Sequence, residues 1–588
     1  MPTHGFRNSS RKRQESKQEF SDTGGPSRSH TVRHRLRWIG VVVLSAVFLC
    51  GAFSQGNCIQ AGAIAPVEGG YVGNPACAGC HEATSNTFSR TAHAHASGRA
   101  IDNLTPGEFT HEKSKVTFRV YAESGKAWMS FERPGDPLVR GKRELTYYIG
   151  QGRRGTTYLF SIDGFVFEAP INLYTSKKTW DMAPAYGDAR EIPMNLPALP
   201  SCMDCHASGI RPPIEGTENK YALPVFLFAG ITCERCHGPG ESHVKGGAIV
   251  NPAKLSPERR DQVCMQCHLE GNAAIERPGK HLYEYRPGDD LSNFVRYYVL
   301  TGGGTSSLRA ASQFEQLAQS VCKKKSGDSM SCTSCHDPHR SVPPDERVAF
   351  YRSKCLACHG TQFGEKHHRN QPDCTQCHMP SAMSADIAHT AVTNHSILRR
   401  PALGPALTSA DAASLPQLVS FPYSKEADQD VRDLALAWQS LVNSGMTMAE
   451  PKAESLLKQA AVQFPKDTAV LAALGYAEQT EGSRDKARAL YQEALSIDPT
   501  LIDVETNLGV LVARSGDLAG GAKLWQDAFR RAPGRSDIGM NLARAYCAVG
   551  RFDDARDSVM RVLEFNPDLG AAKTLLRRLN TDPPTCIP

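Results

Sequence analysis

The chain has 588 residues, 40% hydrophobic and 22% charged, an ordinary balance for a folded soluble protein and too long for one core, so two or three domains are expected. Its formal charge of +6 resides in residues 1–37, where nine basic side chains stand against three acidic ones; the neutral remainder excludes a nucleic-acid-binding footprint. Of the 19 cysteines, 14 fall inside one repeated five-residue pattern, which excludes a disulfide scaffold.

The basic stretch leads into residues 38–53 (WIGVVVLSAVFLCGAF), an apolar run shorter than the roughly 20 residues a spanning helix needs. Residues 1–55 therefore read as an export signal, with an uncleaved N-terminal membrane anchor as the alternative. An exported, periplasmic or otherwise extracytoplasmic protein is expected.

Residues 70–400 contain seven CxxCH motifs: Cys77-Cys80-His81, Cys202-Cys205-His206, Cys233-Cys236-His237, Cys264-Cys267-His268, Cys332-Cys335-His336, Cys355-Cys358-His359 and Cys374-Cys377-His378. Two cysteines three apart form thioethers to the two vinyl groups of one haem, and the adjacent histidine is the proximal ligand of its iron. Zinc would use two CxxC pairs per metal and would not need a histidine after each pair. Seven haems c are expected. Motifs two, three and four follow at steps of 31 residues, and the last three at steps of 23 and 19, so neighbouring macrocycles are expected to lie close together.

Between the first two motifs, residues 116–121, 128–131 and 156–167 alternate apolar and polar side chains, with turns at Gly125, Gly135 and Gly164. They predict a small antiparallel β insert, about residues 110–175, in an otherwise mainly α protein. Tyr147, Tyr148, Arg153, Arg154 and Tyr174 of this insert are candidates to line an open haem face, against a simpler structural role.

Residues 401–430, with four prolines and little periodicity, read as a linker. Residues 431–580 carry a 34-residue repeat: Pro465, Pro499, Pro533 and Pro567 mark one position, Leu474-Gly475, Leu508-Gly509 and Leu542-Ala543 another, and Tyr491 and Trp525 a third. This period predicts four tetratricopeptide repeats, an α-solenoid, with a short capping helix near 568–580. The repeats are expected to be a separable docking module, whose deletion leaves the haem region intact. Cys322 and Cys547 read as core residues; Cys58 and Cys586 have no assigned partner.

Ten histidines outside the leader and the motifs are available as sixth ligands: His93, His95, His111, His243, His281, His339, His367, His368, His389 and His395. Bis-histidine ligation of most irons is the expectation, with Met379 as an alternative ligand and His281 as the histidine left out. Residues 231–244 (ITCERCHGPGESHV), 263–271 (VCMQCHLEG), 330–339 (MSCTSCHDPH) and 373–380 (DCTQCHMP) resemble an exported multihaem cytochrome family with doubled CxxCH motifs and C-terminal tetratricopeptide repeats. More distantly they are similar to the tetrahaem electron-transfer cytochromes of nitrifying bacteria. The resemblance implies that His389 and His395 serve haems elsewhere in the fold. It also implies that His93, His111, His243, His339 and one of His367 and His368 are distal ligands.

The expected function is electron relay along the haems, with the repeats docking a redox partner protein. The alternative is a multihaem oxidoreductase of small nitrogen or sulfur compounds, which needs one iron with an open position.

Overall fold

The computed structural model describes residues 69–150, 155–175, 178–301, 308–360, 371–384, 391–399, 416–422 and 424–586. The leader, Cys58, Arg153, Arg154, His367, His368, His389 and most of the 401–430 segment lie outside the described residues. Everything described belongs to one compact unit, Pro66–Pro588.

Strand β1 (Ser97–Arg99) pairs alongside β5 of a seven-strand antiparallel meander. The meander runs β2 (Gly107–His111), β3 (Val116–Glu123), β4 (Lys126–Arg133), β5 (Asp136–Ile149), β6 (Gly155–Ile162), β7 (Phe165–Tyr174) and β8 (Thr179–Met182). Two hairpins turn on Ser124-Gly125 and Asp163-Gly164, where both residues have positive φ, the type I′ geometry that suits twisted strands. Alternate residues of β3 and β4 (Val116, Phe118, Val120, Ala127, Met129 and Phe131) are buried, as a pleated strand with one core face requires. The sheet curls until β2 and β8 nearly meet. At that seam Gly107 leaves room for the Trp180 ring, which would lie 2.5 Å from any Cβ there.

This nearly closed barrel corrects the expected fold class: the N-terminal half is built on a large antiparallel sheet, and the chain is not mainly α with a small β insert. Alternation undercounted the strands for a physical reason. Strand β7 buries Phe167, Ala169 and Ile171 in the barrel and Val166 on its outer face, under Met203, Tyr221 and Phe226. A strand covered on both faces reads as a continuous apolar run, without the period of two.

Beyond the barrel, the motif region consists of short helices and coil with three small sheets. Strand β9 (Ala207–Ile210) pairs with β10 (Phe226–Ala229), and β11 (Ala273–Glu276) with β12 (Val295–Thr301); β13 (Ser381–Met383) pairs with β14 (Ala391–Thr393). Strand β15 (Gln417–Phe421) adds to β12, so the end of the segment read as a linker is built into the motif region.

The C-terminal region is a stack of helix pairs: Val431–Asn443 with Glu450–Gln463, Thr468–Glu481 with Arg484–Ile497, Ile502–Arg514 with Leu518–Arg531, and Ser536–Ala548 with Phe552–Phe565, followed by Gly570–Leu579. The repeat positions meet in space. A Cβ on Gly475 would lie 2.6 Å from the Tyr491 ring, and one on Gly509 2.8 Å from Trp525. In the next repeat Ala543 and Val559 occupy the same two positions, and both are fully buried. A larger small residue thus faces a smaller large one. Cys547 and Cys586, neither assigned a partner from the sequence, are joined by a disulfide.

The solenoid is not a separate body. Phe565 is fully buried within the barrel's core cluster, its ring 5.5 Å from Phe167 and 6.4 Å from Phe165. Asp568, just after the repeat proline, is also fully buried. It accepts both Arg133 Nη groups at 2.5 Å, Ile192 N–H at 2.8 Å and Lys573 Nζ at 3.0 Å. One repeat earlier, Asn195 Nδ2 donates to Gly534 O at 2.7 Å. At the other end of the stack, Asp430 and Asp433 hold Arg277 and Arg296, which flank β11 and lie on β12. The repeat turns thus pack directly on the barrel, which bears on the expectation of a separable module.

Candidate functional site

The fourth, sixth and seventh CxxCH motifs lie wholly on helices and the others start on or beside a short helical turn, an arrangement that brings residues i, i+3 and i+4 to one side. In the first, third and fifth motifs the histidine N–H donates back to the carbonyl of the first cysteine, at 2.9 Å for His81, 3.0 Å for His237 and 2.9 Å for His336. Both thiols and the imidazole then address the same space.

Four motif histidines face a second imidazole. Ring centroids are 6.3 Å apart for His81 and His243, 6.1 Å for His237 and His339, 6.1 Å for His268 and His93, and 6.4 Å for His336 and His395. Two metal–imidazole bonds of about 2.0 Å, with ~1.1 Å from each ring nitrogen to its ring centre, give a separation of ~6.2 Å across one metal. In all four pairs the second histidine lies far from its partner in sequence, and in three of them it belongs beside a different motif. His243 follows the third motif but faces the first, His339 follows the fifth but faces the third, and His93 belongs to the first segment but faces the fourth.

Hydrogen bonds at the other ring nitrogen agree with this. Nδ1–H donates to Val250 O in His237 (2.8 Å), Gly247 O in His243 (3.0 Å), Thr393 O in His395 (2.9 Å) and Leu398 O in His378 (2.6 Å). A carbonyl can only accept, so Nδ1 carries the proton and Nε2 keeps its lone pair for a metal. Burial lowers the pKa of the half-buried His206 and His237. These rings stay neutral, as ligands must. The residues present fit a haem c at these motifs.

The remaining sequence candidates are placed as follows. His111, on β2, is buried with Nδ1 2.9 Å from Ser114 Oγ and joins none of the four pairs. His95 is exposed, with Nε2 2.7 Å from Ser89 O, and His281 stacks on Tyr283 with Nδ1 2.9 Å from Glu276. Among the described residues no second imidazole stacks across from His206. Tyr147, Tyr148 and Tyr174 are buried in barrel packing; the Tyr147 hydroxyl accepts Val225 N–H and the Tyr174 hydroxyl donates to Met182 O.

Electrostatic interaction between thiols orders the motifs in space. A neighbouring thiol and burial act together on Cys77 (with Cys233), Cys205 (with Cys267) and Cys264 (with Cys332), and burial and a neighbouring thiol on Cys355 (with Cys374). Cys236 lies within electrostatic reach of Cys267, and Cys335 within that of Cys358. The motifs thus run one, three, four, five, six, seven, with the second attached at the fourth.

The residues between the motif cysteines, which the sequence reading passed over, tie these turns together. Glu234 accepts Val72 N–H at 2.9 Å, Gly73 N–H at 2.7 Å and Gly240 N–H at 2.8 Å, and Asn74 Oδ1 accepts Cys233 N–H at 2.9 Å, clasping the first motif to the third. Arg235 Nη2 donates to Asp204 Oδ2 at 2.7 Å, and Gln266 Nε2 to Arg235 O at 3.3 Å. No sequence pattern marks these residues, since Asp204, Arg235 and Gln266 differ in type at one motif position.

Comparison with known proteins agrees with both halves. The family described as cytochrome c554 and c-prime matches residues 174–238, across the second and third motifs, and a tetratricopeptide repeat family matches 512–579. The multiheme cytochrome MtrA of Shewanella baltica (strain OS185) is 25% identical over 185 residues, which cover 28% of this chain and 54% of MtrA. Tetratricopeptide repeat protein 7A of Homo sapiens is 28% identical over 108 residues, 18% of this chain and 13% of that protein. The chain thus spans about half the length of one curated relative and a small part of the other. The solved structure of MamA from Desulfovibrio magneticus RS-1 aligns with 27% of the chain at 16% identity and a TM-score of 0.24. These matches support a multihaem cytochrome. The chain carries tetratricopeptide repeats at its C-terminal end.

Proposed function

We propose that the protein binds seven haems c, one at each CxxCH motif, and relays electrons among them in an extracytoplasmic compartment, with the solenoid presenting a surface to a redox partner. The observation that carries this reading is the set of four facing imidazole pairs at 6.1–6.4 Å. A haem held between two histidines supplies a one-electron couple and no open position for substrate. The chain's part is to fix both imidazoles, keep them neutral, and draw successive motifs into contact. The leader sequence and the Cys547–Cys586 disulfide support export, since disulfides persist in oxidising compartments.

The test is the purified, haem-loaded full chain. Its mass should exceed that of the polypeptide by seven haems, and its visible and electron paramagnetic resonance spectra should be dominated by low-spin iron. His339→Ala should convert one haem, at the third motif, to high spin. A mass short of seven haems, or no spectral change in His339→Ala, would count against the assignment.

One observation favours a second reading, an oxidoreductase of small nitrogen or sulfur compounds at the second motif. His206 has no facing imidazole among the described residues. A high-spin signal that changes on adding nitrite or hydroxylamine would support it; spectra that are wholly low-spin and unresponsive would exclude it.

A further inference from the structure

The Arg235–Asp204 pair is the most enclosed ion pair in the motif region, with side chains 7% and 5% exposed. It lies between the turns of three motifs. Asp204 immediately precedes Cys205, and Arg235 immediately precedes Cys236. Gln266, immediately before Cys267, donates to the Arg235 carbonyl, and Cys205 Sγ lies 3.9 Å from Gln266 O. Arg235 Nη2 also reaches the Asp204 carbonyl at 3.3 Å. Three polar side chains, one from each attachment turn, thus form one knot, while Glu234 clasps the first motif to the same turn.

Two buried charges within a residue of thioether-forming cysteines cannot be neutral bystanders. In a low-dielectric interior a carboxylate favours the oxidised, more positive iron and a guanidinium favours the reduced one. Paired at 2.7 Å, they nearly cancel at a distance, and their geometry sets what remains at each neighbouring iron. We infer that Arg235 and Asp204 are positioning residues of the relay: their buried pair fixes the junction where the second, third and fourth motifs meet and balances the potentials of the haems attached there. This rests on haem occupancy of those three motifs. It adds a role for motif residues that make no bond to haem.

The test uses the haem-loaded full chain, titrated potentiometrically at alkaline pH so that a lone carboxylate stays ionised. Haem peptides from the three motifs are weighed first. Native peptides without haem would overturn the haem assignment itself, whereas full loading with unmoved potentials overturns only the role of the pair. Asp204→Asn leaves an uncompensated guanidinium and should raise the midpoint potentials of a subset of haems. Arg235→Gln leaves an uncompensated carboxylate and should lower those of the same subset. The Asp204→Asn/Arg235→Gln double variant should return towards the native titration. A purely structural role would move both single variants in the same direction, and that result, or no movement, overturns the inference. If a single variant fails to load its haems, the charge-swapped Asp204→Arg/Arg235→Asp chain decides. Recovery of loading supports the pair, and failure to recover overturns it.

Discussion

Replacing Asp568 by Asn tests whether the solenoid and the barrel are one structure. The side chain is fully buried and accepts from Arg133, Lys573 and Ile192 N–H. Asparagine preserves the shape and one acceptor but leaves two cations facing a neutral amide. Breaking a buried pair by removing one partner costs about 3–5 kcal/mol in general. Here Arg133 and Lys573 are 20% and 15% exposed, and Asp136 remains within 3.6 Å of the first and 2.7 Å of the second. Partial solvation and that second carboxylate reduce the expected loss to about 2–3 kcal/mol. The assay is urea unfolding of the haem-loaded chain, followed by far-ultraviolet circular dichroism for the helices and Soret absorbance for the haem region. Both signals should shift together to lower urea. Asp163→Asn, which removes an exposed partner of Arg561 across the same seam, is the control and should cost under ~1 kcal/mol. A change below about 0.5 kcal/mol in Asp568→Asn, or a helix signal that shifts while the Soret signal stays, would refute the shared-core reasoning.

Three further outcomes follow from the same packing. Deleting residues 431–588 removes Phe565 from the barrel core and Trp438 and Leu441 from the cluster against β11 and β15, so the yield of haem-loaded protein should collapse; an intact haem spectrum would show that the region folds alone. Gly509→Ala forces a methyl to within 2.8–3.1 Å of the Trp525 indole and should lower stability by about 1–3 kcal/mol in a thermal melt, whereas unchanged melting would mean the repeat contact is loose. Burial raises the Glu218 carboxyl to about 7, because Arg535, 3.8 Å away, is shared with Asp503 and Asp537. Since the unfolded carboxyl ionises first, this group's contribution is complete at low pH and is lost as pH rises from the ordinary glutamate value to about 7, by at most about 3 kcal/mol. Glu218→Gln should flatten that part of the stability profile; an unaltered slope would assign it to other groups.

Covalent chemistry and local periodicity were legible in the sequence. Each of the seven CxxCH motifs is complete within five consecutive residues, and the 34-residue step survives because each repeat packs mainly on its neighbours. Even the small-to-large pairing of Gly475 with Tyr491 and Gly509 with Trp525 was visible as two positions in phase, though not as a contact. The pool of candidate axial histidines was also visible. Its allocation was not: His339 stands three residues after His336 and faces His237, because the partner of a metal ligand is chosen by how turns distant in the chain are stacked.

Only the tertiary structure decided the size of the sheet, since a strand covered on both faces loses its alternation, and a closing seam such as Gly107 against Trp180 joins strands more than 60 residues apart. It likewise decided that the repeats are fused to the barrel. Phe565 looks from sequence like any apolar residue at the end of a repeat helix, and Asp568 like any polar residue in a turn. Their burial depends on a surface contributed by residues more than 370 positions away, and no local pattern records that. The same holds for Asp204 and Arg235: inside a motif their identity looks free, and only the meeting of two turns makes them a pair.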